Sequence, residues 1–283
     1  MTPRTALAAA ILVCITRAAF AEPSVEPAEP AVDDEVAALP CRPTIACTAE
    51  IVRGGTLEVE TGFAHRRAAD ANASGVLALV KYSITDRLQL QLGTNNLVMA
   101  SGDTTAWLDG VYLGPKVVLA RQTEQLPTLA VSALFSIPTR SGDDAMTRTR
   151  DGYFWVYASK DLLGFHADGN LGLDVLSLTD APAVQGVAAL SVSHDLAFGL
   201  GAMVETYAFE GGGSYAQHDA GVLMALSYAP TPRIMFDLGG DVALHRDARR
   251  ATLFAGVTFI PYRAARPHHP VSPELTAARH QEP

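Results

Sequence analysis

Residues 166–178 read HADGNLGLDVLSL, in which His166, Asp168, Asn170, Gly172 and Asp174 alternate with Ala167, Gly169, Leu171, Leu173 and Val175. A period of two marks a β-strand whose two faces meet different surroundings. In a soluble protein the apolar face turns to the core. In a membrane barrel it meets lipid, and the polar face lines the interior. The same pattern is clear in TLEVETGF (56–63), RLQLQLGT (87–94), FGLGAMVETY (198–207) and IMFDLGGDVALH (234–245). Less regular segments lie at about 74–84, 109–120, 128–138, 152–160, 185–193, 218–228 and 251–261, which makes twelve in all.

The connections separate the two architectures. Joins from each even strand to the next are short, as at Thr85-Asp86-Arg87, Arg121 to Leu126, Asp161 to Gly164, His194 to Leu196 and Pro230-Thr231-Pro232. The other joins are mostly longer and rich in Gly, Asp and Ser: HRRAADANA, LVMASGDTTAW, TRSGDDAMTRTRD, SLTDAPAVQ and EGGGSYAQ. Short turns at one end and long loops at the other describe an up-and-down barrel with both termini on the short-turn, periplasmic side. Segments of about ten residues suit a tilted bilayer crossing. Trp107, the Tyr153-Phe154-Trp155 cluster, Phe165, Phe198, Tyr207, Tyr228 and Tyr262 fall near segment ends, as interfacial girdles do. A soluble sandwich or lipocalin-like barrel would instead need a very large apolar interior, yet Gly, Ala and Thr punctuate the apolar parity without large residues to compensate. The expected fold is therefore all-β, a single antiparallel up-and-down transmembrane β-barrel of about 12 strands, with outer-membrane lipid as its outer solvent.

The polar parity then supplies the lumen-lining residues: Glu58, Glu60, Lys81, Gln89, Gln91, Lys116, Lys160, Asp168, Asn170, Asp174, Glu205, Asp237 and Asp241. Seven acids against three lysines make an acidic interior. An open acidic lumen favours cations, and the same residues can equally pair across a closed one.

Composition adds an address. Met1 to Ala21 carries Arg4, an apolar run from Leu7 to Ile15 and a closing Ala19-Phe20-Ala21, the pattern of a signal peptide that directs export in a Gram-negative bacterium. Its apolar run is too short for a spanning helix. Cleavage removes Arg4 and Arg17 and no acid, taking the formal charge from −9 to −11. Nucleic-acid binding needs a basic footprint that such a chain lacks. Residues 22–42 are acidic and Pro-rich: Glu22 to Glu35 alone holds six acids, three prolines and no base, the composition of a disordered leader. The barrel is expected over 43–262, followed by a disordered periplasmic tail over 263–283. Cys41 and Cys47, in CRPTIAC, are the two cysteines of the exported chain and are expected to form a disulfide.

RPTIACTAEIVRGGTLEVETGFAHRR (42–67), VYASKD (156–161) and TLFAGVTF (252–259) together resemble bacterial outer-membrane β-barrel transporters of the phenol-degradation meta-pathway type. The resemblance spans roughly Arg42 to Tyr262. It implies a channel or transporter passing small-molecule solutes, hydrophobic or aromatic compounds among them, across the outer membrane, and it brings no catalytic residues. Many such barrels end on an aromatic residue, whereas about twenty residues follow Tyr262 here.

No enzyme, cofactor or metal is expected. Ser193 and His194 are adjacent in a strand and point to opposite faces, so they cannot form a nucleophile–base pair. His166, His218 and His245 are the other candidate histidines, Gly211-Gly212-Gly213 has no following Lys and lacks the strand-to-helix context of a phosphate cradle, and His245-Arg246-Asp247 stands without any other kinase element. His268, His269 and His280 belong to the tail. The alternative to a channel is a structural or surface-interaction barrel with a plugged lumen and partner-binding loops. Oligomeric state is not legible in the sequence.

Overall fold

The structure is a computed structural model that describes residues 36–68, 72–94, 97–100, 106–108, 111–137, 150–177, 182–212, 219–244 and 250–264. Its strands are β1 (Thr56–Ala68), β2 (Asn72–Ser83), β3 (Leu88–Thr94), β4 (Leu97–Ala100), β5 (Ala106–Leu108), β6 (Val111–Ala120), β7 (Thr128–Ile137), β8 (Arg150–Leu162), β9 (Phe165–Ser177), β10 (Pro182–Asp195), β11 (Leu200–Gly212), β12 (Asp219–Thr231), β13 (Ile234–Ala243) and β14 (Arg250–Arg263).

All pairings are antiparallel, and β1 pairs with both β2 and β14, so the sheet closes on itself; among the described residues only the short β5, paired with β4 alone, has a free side. The short-turn half of β2 pairs with β3 and its long-loop half with β4. β3 pairs with β6, and β4 with β5. Thus β3 with β4 make one stave of the wall, β5 with β6 make the next, and the barrel has twelve staves. The sequence expectation placed 97–107 in a loop; β4 and β5 instead carry the pairing of those two staves further toward the long-loop end.

The distribution of side chains is inverted relative to a soluble protein. Among the largest fully buried side chains are Lys81, Lys116, Gln89, Glu58, Glu60 and Glu205, while Leu253, Met224 and Leu238 are 63–68 % exposed on the outer face. Exposing a Leu or Met to water costs about 1.5–3 kcal/mol each. A belt of such residues is stable only in an apolar solvent. Among the described residues no helix is long and apolar enough to cross a membrane, so any crossing falls to the strands. The turns at the short end are tight enough to hold Leu163 and Phe198 in the left-handed region, at φ 54 and 62. Phe165, Phe198, Tyr228 and Tyr262 are exposed outside, in keeping with girdle positions, but Tyr153, Trp155 and Tyr207 share the inward parity with buried Tyr157 and Glu205.

The largest departure concerns the residues before β1. Val36 and Ala38, expected in the disordered leader 22–42, are buried and pack with Val52 and Ile260. Chain 36–53 enters at the short-turn end, where Ala38 N–H donates to Pro232 O. It rises into the lumen and returns to the same end, where Gly54 N–H donates to Asp86. Its acidic neighbour 22–35 and the tail from 265 onward lie outside the described residues.

Candidate functional site

The interior is organised around this internal segment. A backbone threaded through a barrel without joining the sheet leaves its N–H and C=O groups unpaired, and burying them so is costly. The wall satisfies them with side chains. Glu58 accepts from Leu39 N–H at 2.7 Å, and Glu60 accepts from Cys41 and Arg42 N–H at 3.0 Å each. Glu205 accepts from Ile45 and Ala46 N–H at 3.0 Å. Lys81 lies 2.8 Å from Glu58 and 2.5 Å from Glu60, and donates to Leu39 O at 2.6 Å. Two staves further along the wall, Lys116 donates to the carbonyls of Thr48 and Glu50 and sits 4.5 Å over the Tyr157 ring. Asn170 donates to Cys47 O at 3.0 Å, and Ser159, tied at 2.5 Å to Asp168, accepts from Ala49 N–H at 2.6 Å.

Buried charge is tolerable here because each carboxylate that grips the segment meets backbone N–H groups, Lys81, or both. The segment adds apolar contacts of its own, Ala49 against Val118, Ala130 and Tyr157, and Ala46 against Ala189 and Tyr207. At its apex Cys41 and Cys47 are joined by a disulfide.

The remaining predicted positions divide. Gln89 and Gln91 are buried and bonded to each other at 3.0 Å. Asp174 accepts from Trp155 Nε1 at 3.2 Å, Asp241 accepts from Tyr207 Oη at 2.6 Å, and Asp237 lies 3.9 Å from Arg42. Lys160 is the correction. It has the parity opposite to buried Tyr157 and Ser159 and caps the carbonyls of Thr123, Glu124 and Leu126 on the neighbouring short turn. At a wet rim a long cationic side chain finds such acceptors on either face, so its polarity carried no information about direction.

Sequence reasoning missed Arg42, Arg250, Asp219 and the inward aromatics. Arg250 meets Asp219 at 2.8 Å and Asp241 at 3.8 Å, and its parity with Thr252 and Phe254 was the available signal. Arg42 had none, being assigned to the leader. The inward rings lie across glycines paired with them in register: a Cβ on Gly93 would come within 2.3 Å of Tyr112, on Gly172 within 2.7 Å of Trp155, and on Gly221 within 2.3 Å of Tyr207.

On the long-loop side of the segment these rings bound two cavities of about 350 and 230 Å³, which share Cys41, Ile45, Cys47, Leu79 and Tyr112 as lining. Among the described residues no three His, Cys, Asp or Glu side chains form a group that would hold a metal. Ser193 follows the parity of buried Ser191, while His194 points away and bonds Gly164 O. His218 and His245, the tail histidines, Gly213 and Arg246-Asp247 lie outside the described residues.

No family model and no curated protein matches the chain. Solved structures do share its fold. An outer membrane channel from Pseudomonas putida F1 superposes with a TM-score of 0.57 at 16 % identity, over 75 % of this chain and 97 % of that one. The NanC porin does so with a TM-score of 0.54 at 12 % identity, over 72 % and 98 %. The chain has the fold of an outer-membrane β-barrel.

Proposed function

We propose that the chain is an outer-membrane channel for small molecules, held shut by residues 36–53. The observation that carries this reading is how the segment is attached. It is bound to the wall by side chains and, at the turn after β12, by one backbone bond from Ala38 to Pro232, and not by strand pairing, so removing it leaves the ladders of the barrel intact. The apolar outer belt, the polar inner wall and the fold shared with an outer membrane channel support the outer-membrane setting. The signal-peptide pattern supports export, with termini and short turns in the periplasm. Rings lining both cavities favour the finer reading drawn from the phenol-degradation resemblance, a hydrophobic or aromatic solute.

The alternative is a non-conducting barrel whose loops bind a partner, and the tightness of the plug favours it. Planar-bilayer conductance of the full chain and of a variant lacking 36–53 decides between them. The channel reading expects small or intermittent currents from the first and steps at least about tenfold larger from the second, since clearing a lumen of buried chain opens its full polar bore. A deletion variant that folds and stays silent overturns it.

A further inference from the structure

We propose that the 350 Å³ cavity above the segment binds a small aromatic carboxylate, with the Arg42 guanidinium as the group that holds the anion. The proposal deepens the channel reading by naming a solute class. The cavity wall is largely apolar, built from Leu77, Leu79, Tyr112, Tyr207, Leu223 and Phe254. An apolar cavity of about 150 Å³ already accepts a benzene molecule. The space therefore suits one substituted ring.

Charge selects the substituent. Asp241 is engaged by the Tyr207 hydroxyl, and Arg250 by Asp219 and Tyr207 through Nη2, which leaves Nε as its one buried nitrogen without a partner among the described residues. Arg42 is different. Its side chain is only 10 % exposed, its nearest carboxylate, Asp237, stands at 3.9 Å, and its Nε and Nη1 have no hydrogen-bond partner among the described residues. A buried guanidinium with two idle nitrogens is an anion site in want of an acceptor.

Its posture is built, not accidental. Gly62 and Gly256 face each other across β1 and β14. A Cβ on Gly62 would fall 2.3–2.4 Å from Cζ, Nη1 and Nη2 alike, so the guanidinium lies flat on that glycine; one on Gly256 would fall 3.1 Å from Nε. Stacking on backbone occupies the face of the guanidinium and none of its in-plane N–H donors. Glu60 on the Arg42 N–H and the adjacent Cys41–Cys47 bridge fix the base of the side chain. This reverses the cation preference expected from the count of inward acids, because carboxylates that grip the segment are not offered to a solute.

Isothermal titration of the full chain in detergent with benzoate, benzyl alcohol and benzylamine tests the site. Benzoate is expected to bind at least about tenfold more tightly than benzyl alcohol, with benzylammonium weakest. In Arg42→Gln the ratio of benzoate to benzyl alcohol affinity should fall toward one, and Arg42→Lys should restore it only in part for want of the planar fork. Folding of each variant is checked by heat-modifiable gel mobility; if Arg42→Gln does not fold, the wild-type ratio decides. Equal affinities for benzoate and benzyl alcohol, no benzoate binding, or a ratio preserved in folded Arg42→Gln overturns the proposal. Binding in detergent needs no passage: a protein that binds benzoate but never conducts refutes the channel alone, and one that conducts without binding benzoate refutes the site alone.

Discussion

Toward the short turns, inward positions carry Glu58, Glu60, Lys81, Lys116, Ser159 and Glu205, and each of these bonds to the backbone of 36–53 or to a group that does. Toward the long loops the same parity of the same wall carries Tyr112, Tyr153, Trp155, Tyr207 and Phe254. Four of these, Tyr112, Trp155, Tyr207 and Phe254, lie across glycines of a neighbouring strand. The lower half behaves as a clamp for a peptide, and the upper half as a shaped apolar space. One strand period thus supports two kinds of interior, according to whether the buried groups must satisfy a backbone or leave room for something else.

The comparison breaks most severely at Lys81. Lys81→Leu leaves Glu58 and Glu60 buried without their cation, a change that costs about 3–5 kcal/mol when one partner of a buried ion pair is lost. Urea unfolding followed by gel mobility should place its midpoint well below that of the wild type. An unshifted midpoint would mean that the clamp does not depend on this cation.

A smaller effect is expected in the upper half. In Gly172→Val the new side chain takes the place of the Trp155 ring, with an overpacking cost of about 1–3 kcal/mol. The chain has two tryptophans, so a Trp107→Phe background isolates the Trp155 signal. Its emission should shift to the red and become quenchable by iodide, while conductance stays as low as in the unsubstituted protein because the clamp is untouched. A current rise would show that the two halves are coupled.

The smallest effect belongs to a residue in neither half. Lys160→Ala removes a charge from the outer rim and should alter stability by no more than about 0.5 kcal/mol, with single-channel ion selectivity unchanged. A selectivity change would return Lys160 to the lumen.

Some of this interior was legible beforehand. Glu58, Glu60, Gln89 and Gln91 stood out because each strand also carries a clear apolar parity. Lys160 misled because its segment, YFWVYASK, puts aromatics on the inward parity and leaves polarity without a face to mark. Tyr153, Trp155 and Tyr207 fall near segment ends, which suits a girdle, although Tyr207 shares the parity of Glu205. For Trp155 and Tyr207 a glycine on the adjacent strand makes room for the ring inside, and Gly172 stands seventeen positions from Trp155 in sequence.

The twelve staves, their alternating short and long joins and the inward direction of most carboxylates are written in the local pattern of the chain. These properties follow from period-two alternation and turn chemistry, which act between residues close along the chain. Long-range contacts place residues 36–53 in the lumen, turn the carboxylates of Glu60 and Glu205 to backbone N–H groups, and rest Arg42 on Gly62 and Gly256. Each of these joins residues far apart in sequence or on different strands. A Pro-rich, acidic run has no periodicity of its own to announce that its last residues find partners inside a barrel built after them.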